Sequence, residues 1–200
     1  MTTPNKLTIA RIALSPVFLF FLLFKTMPHH YLAALLVFIA ASVTDLLDGK
    51  MARRDNTITT FGKFLDPLAD KVLVSCALVG MVELSLFSSW FTVIILTREF
   101  LVTSVRLIAS GKGKVIAANY WGKVKTVTQI VAIISILVFN EGLFILERYF
   151  SYNAGLIDVV SKCVGIADVI LISAATLATV VSGIIYIKEN IGIIMDESKG

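Results

Sequence analysis

The stretch SVTDLLDGKMARRDNTITTFGKFLDPLADK, Ser42 to Lys71, sets Asp45, Asp48, Asp66 and Asp70 beside the ends of two strongly apolar runs. Charge is costly at such a place, so the four carboxylates need a common reason to be there. Asp45 and Asp48, three apart, share one face of a helix, and Asp66 and Asp70, four apart, share another. Two neighbouring helices would aim all four at one point near a membrane interface. Left alone they would repel one another and shift toward their neutral forms; divalent cations are the simplest remedy. An all-oxygen site without His or Cys suits Mg²⁺ or Mn²⁺ rather than Zn²⁺.

The competing reading makes them ordinary helix-end charges, with Asp66 capping a helix before Pro67 and Asp45 or Asp48 paired to Arg53, Arg54 or Lys71. Pro67 fits best in a first helical turn, which would put Asp66 on the cap. Gly49 and Gly62 would let backbone approach a phosphate or a ring. Arg53, one turn beyond Gly49, can fork onto phosphate oxygens.

The rest of the chain supplies the membrane. Of 200 residues 57% are hydrophobic and only 16% charged, with a mean hydropathy of +0.88, which excludes an ordinary soluble domain. A bilayer core about 30 Å thick takes roughly 20 helical residues to cross. That length divides the chain into six spans, near 8–25, 32–50, 64–83, 88–109, 124–146 and 160–187. The polar break MVELSLFSSW turns the chain between Glu83 and Ser89. The expected fold is all-α: a polytopic six-transmembrane-helix bundle, one domain over residues 1–200. Lys6 and Arg11 before an apolar run imitate a signal peptide, but no small-residue cleavage site follows, so the segment is read as a retained span.

Lys and Arg gather at alternate ends of the spans, in 1–11, 50–71, 106–125 and 188–200. The positive-inside rule then puts both termini and the aspartate-rich loop on the cytoplasmic side of a bacterial-type inner membrane. The net charge of +4 fits anionic headgroups rather than nucleic acid. Cys76 and Cys163 lack ligand spacing and read as small buried hydrophobes. His29 and His30 fall in an outer loop as interfacial polar residues. Asp168, inside the sixth span, reads as hydrogen-bonded and structural. The Phe run of the first span, Trp90 and Trp121 read as lipid contacts and interface anchors.

The pattern D-x2-D-G-x2-A-R-x8-G-x3-D-x3-D is complete in Asp45, Asp48, Gly49, Ala52, Arg53, Gly62, Asp66 and Asp70. It resembles the signature of the CDP-alcohol phosphatidyltransferases, a family of six-helix membrane enzymes. The resemblance implies passage of a CDP-activated group to an alcohol with loss of CMP. It also implies two Mg²⁺ or Mn²⁺ ions on Asp45, Asp48, Asp66 and Asp70, with Asp70 also the general base. Gly49, Ala52, Arg53, Thr59 and Gly62 would contact CDP-diacylglycerol. The N-terminal PNKLTIAR resembles the family segment that closes over the nucleotide, nominating Asn5 and Thr8; the alternative there is an interfacial helix begun by Pro4 and Asn5. A homodimer is likewise implied.

Specificity for the alcohol is expected among the remaining cations. Arg98 and Arg106 lie eight apart, two turns of the fourth span, and can face the same way; the alternative pairs Arg98 with Glu99 and snorkels Arg106 to the interface. Lys123 and Lys125 open the fifth span beside Gly122 and Thr126. Such a cluster suits an acceptor that carries phosphate. The order RE, VR, GKVKT, Q resembles the subgroup whose acceptor is sn-glycerol 3-phosphate. Other acceptors (phosphatidylglycerol, serine, inositol phosphate) remain open. A cation transporter would place its charges near the bilayer midplane and show repeated halves; here the aspartates lie at one interface and no repeat is visible.

Overall fold

The computed structural model describes residues 3–55, 60–111, 120–150 and 154–191. Six helices follow in order: α1 (Thr3–Leu23), α2 (His30–Asp55), α3 (Thr60–Glu83), α4 (Ser89–Gly111), α5 (Tyr120–Tyr149) and α6 (Ala154–Glu189). No strand occurs among the described residues. α5 and α6 are each long and apolar enough to cross a membrane, and shorter apolar stretches run over Ile9–Leu23 and His30–Thr44. The 36 residues of α6 extend about 54 Å at 1.5 Å per residue.

Helix boundaries differ from expectation mainly by being longer. α2 runs on through Gly49 to Asp55, and α3 starts at Thr60 rather than 64, so Asp66 and Pro67 lie within the helix and Asp66 is not its cap. The turn expected between Glu83 and Ser89 falls where the break placed it. Ser85 takes a left-handed φ of 61°. Its N–H bonds to Val82 O at 2.8 Å while Leu86 N–H reaches Met81 O at 3.1 Å, the paired closure that ends many helices.

α1 packs on α2 and α3, α5 on α2 and α6, and α4 on α3 and α6. The core gathers Phe18, Leu22, Phe38, Leu78, Met81, Ile133, Ile136 and Ile172. Phe18 is wholly buried, 5.7 Å from Phe38 between ring centroids, so the first span's Phe run is not all lipid contact; Phe20 and Phe24 are the outward members. Gly80 permits the α1–α3 approach: a Cβ there would meet Leu22 Cδ2 at 2.7 Å. Cys76 packs against the core as expected, whereas Cys163 is exposed, because an apolar side chain in a lipid setting can face outward without cost. Trp90 and Trp121 are exposed near helix starts.

The far end of the bundle is tied by polar contacts. His29, at φ 58°, bonds through Nδ1 to Glu141 Oε1 at 2.5 Å. Leu32 N–H donates to Glu141 Oε2 at 3.0 Å, so an α5 carboxylate satisfies an orphan donor at the start of α2. His30 is buried, its Nδ1 2.9 Å from Leu22 O. His29 lies in the turn before α2 and His30 is the first residue of that helix, so the expected loop position holds and both side chains also act as structural ties. Asp168 is buried and accepts a 2.8 Å hydrogen bond from Asn140 Nδ2, joining α5 to α6 as the sequence reading held.

Candidate active site

A cavity of about 680 Å³ opens between α2, α3, α4, α5 and α6, with Arg11 of α1 also at its wall. Arg98 and Arg106 of α4, Lys123 and Lys125 of α5, and Lys71 of α3 all line it. The four cations nominated for the acceptor are thus brought to one cavity. Two helices contribute them at separations of eight and two residues, and only the tertiary packing makes them neighbours.

So many cations cannot be gathered in a low-dielectric setting without compensation. Glu99 provides part of it: Oε1 accepts from Arg98 Nη1 at 3.0 Å and also pairs with Lys125 Nζ. Arg98 therefore does pair with its neighbour, as the blander reading held, and faces the cavity as well. Arg98 Nη2 donates to Ser182 Oγ of α6 at 2.8 Å. The Arg106 guanidinium stands 6.0 Å from the centroid of the Tyr186 ring, within cation–π range.

Arg98 Nε, Gln129 Nε2 and Tyr186 Oη, buried atoms on cavity-lining residues, have no hydrogen-bond partner among the described residues. An unpaired buried polar group costs about 1–3 kcal/mol, and native proteins keep such groups few. Gathered at one cavity, they are donors that the acceptor oxygens of a ligand can meet.

The cavity also reaches the aspartate segment. Ser42 and Val43 of α2 and Lys71 of α3 line it; Lys71 directly follows Asp70, and Ser42 precedes Asp45 by three residues. The helical backbone carries Asp45, Asp48, Gly49, Ala52 and Arg53 on the later turns of α2, and Gly62, Asp66 and Asp70 on the early turns of α3, two helices in contact. Asn5 and Thr8 lie in the opening turns of α1. The side chains of Asn5, Thr8, Asp45, Asp48, Ala52, Arg53, Asp66 and Asp70, and Thr59, Lys112 and Lys114 altogether, lie outside the described residues.

Sequence reasoning missed Glu99 as the hub of the cation cluster, and Ser182 and Tyr186 altogether. Gln129 entered only as the last letter of a pattern. Gly183 and Tyr186 carry no local signal; their part is set by how α6 is rotated against α4.

An apolar all-helical frame, with two helices long and apolar enough to cross a membrane, surrounds a cation-lined cavity, an arrangement common to a class of helical membrane proteins. The comparisons with known proteins narrow that class: a family model described as CDP-alcohol phosphatidyltransferase matches residues 1–164. A protein of Bacillus subtilis named "CDP-diacylglycerol--glycerol-3-phosphate 3-phosphatidyltransferase" is 47% identical, with 68% of this chain and 77% of the relative covered. A "Probable phosphatidylglycerophosphate synthase" of Mycobacterium tuberculosis is 39% identical over 92% of this chain and 79% of its own. A Haemophilus influenzae protein with the same name as the Bacillus one is 35% identical, covering 96% and 95%. The chain belongs to the CDP-alcohol phosphatidyltransferase family.

Proposed function

We propose that the chain transfers the phosphatidyl group of CDP-diacylglycerol to sn-glycerol 3-phosphate, giving phosphatidylglycerol phosphate and CMP. The observation that carries this reading is the cavity that collects Arg98, Arg106, Lys123 and Lys125 next to the segments bearing Asp45 and Asp70. A phosphate on the acceptor gives such a cluster its purpose; choline, serine or ethanolamine would not. The names of the curated relatives agree with it.

In the reaction the acceptor hydroxyl oxygen forms a bond to the phosphatidyl phosphorus. The phosphoanhydride bond to CMP breaks, CMP leaves with the bonding electrons, and the hydroxyl proton passes to the Asp70 carboxylate. Arg98, Arg106, Lys123 and Lys125 bind and orient the acceptor's phosphate, which turns a bimolecular encounter into a positioned one. Gly49, Ala52, Arg53, Thr59 and Gly62, with Asn5 and Thr8, hold the CDP portion. The donor set of four carboxylates on two contacting helices fits hard divalent cations, and Asp45, Asp48, Asp66 and Asp70 would hold two Mg²⁺ or Mn²⁺ ions. Bound there, they would supply charge neutralisation of the diphosphate.

The setting is a single membrane domain with six spanning helices, both termini and the active site on the cytoplasmic side, and two copies forming a homodimer. Alternate clustering of Lys and Arg along the sequence supports the orientation. The test is to supply purified protein with CDP-diacylglycerol and Mg²⁺, add alcohols one at a time, and follow CMP and the lipid product. CMP with phosphatidylglycerol phosphate only when glycerol 3-phosphate is present supports the reading. Turnover with another alcohol alone replaces the acceptor, and Mg²⁺ flux into protein-containing liposomes without turnover would favour a transporter.

A further inference from the structure

We infer that one face of α6, made by Ser182, Gly183 and Tyr186, is the acceptor-selecting wall of the cavity: it sets the two arginines in place and presents a hydroxyl of its own to the acceptor. The inference rests on the acceptor reading above and extends it to a helix end beyond the segment matched by the family model, which stops at residue 164.

Ser182 is wholly buried, and its hydroxyl takes the hydrogen bond from Arg98 Nη2 at 2.8 Å. Glu99 takes Nη1 at 3.0 Å. With both terminal nitrogens engaged, the guanidinium is fixed in plane, and Nε is the atom without a partner among the described residues. The N–H of Nε is thus the guanidinium donor left for a phosphate oxygen, a charge-assisted hydrogen bond.

Gly183 makes the approach possible. A Cβ there would lie 2.9 Å from Arg98 Cγ and 3.5 Å from Nε. The near atom belongs to the root of the side chain, which cannot swing aside without moving the guanidinium. α6 thus passes against the arginine's stem with no room between.

Tyr186, one turn further along α6, is 2% exposed and lines the cavity. Its ring lies under Arg106 while its hydroxyl, buried and without a partner among the described residues, is a donor for an acceptor oxygen. A merely structural tyrosine would bury its hydroxyl against a protein acceptor. Tyr186 is four residues from Ser182 and three from Gly183, so it neighbours both on the surface of α6.

The experiment measures steady-state KM for glycerol 3-phosphate and for CDP-diacylglycerol in Ser182→Ala, Ser182→Thr, Gly183→Ala, Tyr186→Phe and the unsubstituted protein, with thermal unfolding of each and inhibition by inorganic phosphate as a binding probe. Ser182→Ala and Tyr186→Phe are each expected to raise KM for glycerol 3-phosphate about tenfold with KM for CDP-diacylglycerol within about twofold. Ser182→Thr restores the first value, and inorganic phosphate inhibits Ser182→Ala more weakly. Equal changes in both KM values, or a fall in kcat with both KM values unchanged, would overturn the inference. Tyr186→Phe keeps the ring and the fold's packing, so it decides the matter even where Gly183→Ala unfolds. If the unsubstituted protein turns over only another alcohol, the acceptor reading has failed by itself; the α6 wall then stands if KM for that alcohol rises in the variants, and falls if it does not.

Discussion

Glu99 Oε1 receives both the Arg98 guanidinium and the Lys125 ammonium, so one carboxylate oxygen on α4 joins two helices at the cavity wall. Removing that charge leaves the buried Lys125 ammonium and the largely buried Arg98 guanidinium without their shared anion, and breaking a buried pair in this way costs about 3–5 kcal/mol. Glu99→Gln is expected to lower the thermal midpoint clearly and to cut activity at least about tenfold. Added glycerol 3-phosphate should raise the variant's midpoint more than the parent's, since an anion would replace the lost compensation. Differential scanning in detergent with and without the ligand checks both.

The cations themselves should behave as acceptor ligands. Arg98→Ala, Arg106→Ala and Lys123→Ala should each raise KM for glycerol 3-phosphate about ten- to a hundredfold, the worth of a hydrogen bond to a charged group. KM for CDP-diacylglycerol should stay near its original value. Equal effects on both substrates, measured by CMP release, would remove the phosphate pocket.

Asp70→Asn keeps the size of the side chain and removes its basicity. Turnover should fall below detection while the protein stays folded by circular dichroism; substantial residual activity would take Asp70 out of the base role. Chelation with EDTA should stop the reaction, and Mg²⁺ or Mn²⁺ should restore it.

The Asn140–Asp168 pair lies away from the cavity and is expected to affect stability without touching kinetics. Asn140→Ala leaves a buried carboxylate oxygen without its 2.8 Å donor and should cost about 1–3 kcal/mol. Replacing both by Leu should recover most of the loss, a coupling that a double-mutant cycle in thermal unfolding would show. Both KM values should be unchanged throughout.

What the sequence made legible was local. The run of polar residues between Glu83 and Ser89 placed the α3–α4 turn correctly, since a helix that meets Ser85 in a left-handed conformation must stop there. The two halves of the motif fall on the later turns of α2 and the early turns of α3. The eight-residue spacing of Arg98 and Arg106 foretold their common wall. What failed was non-local or marginal. Hydropathy ends where lipid would end, so α2 and α6 were cut short: helices continue past the apolar stretch as long as caps and neighbours satisfy the backbone. Phe18 and Phe20, two apart in one run, have opposite fates because helix rotation, not composition, decides which faces Phe38. The meeting of Ser182 with Arg98, 84 residues apart, depends on the rotation of α6, which no window of sequence reports.

Gly183 has one more consequence. Because a methyl group at this position collides with the root of Arg98, the two sites are not free to vary independently. A lineage that gains a side chain at 183 must first shorten or lose the arginine, and one that regains the arginine must first clear 183. Descendants that changed their substrate would therefore carry the order of those two events as a constraint, and the same order governs any attempt to redesign the cavity in the laboratory.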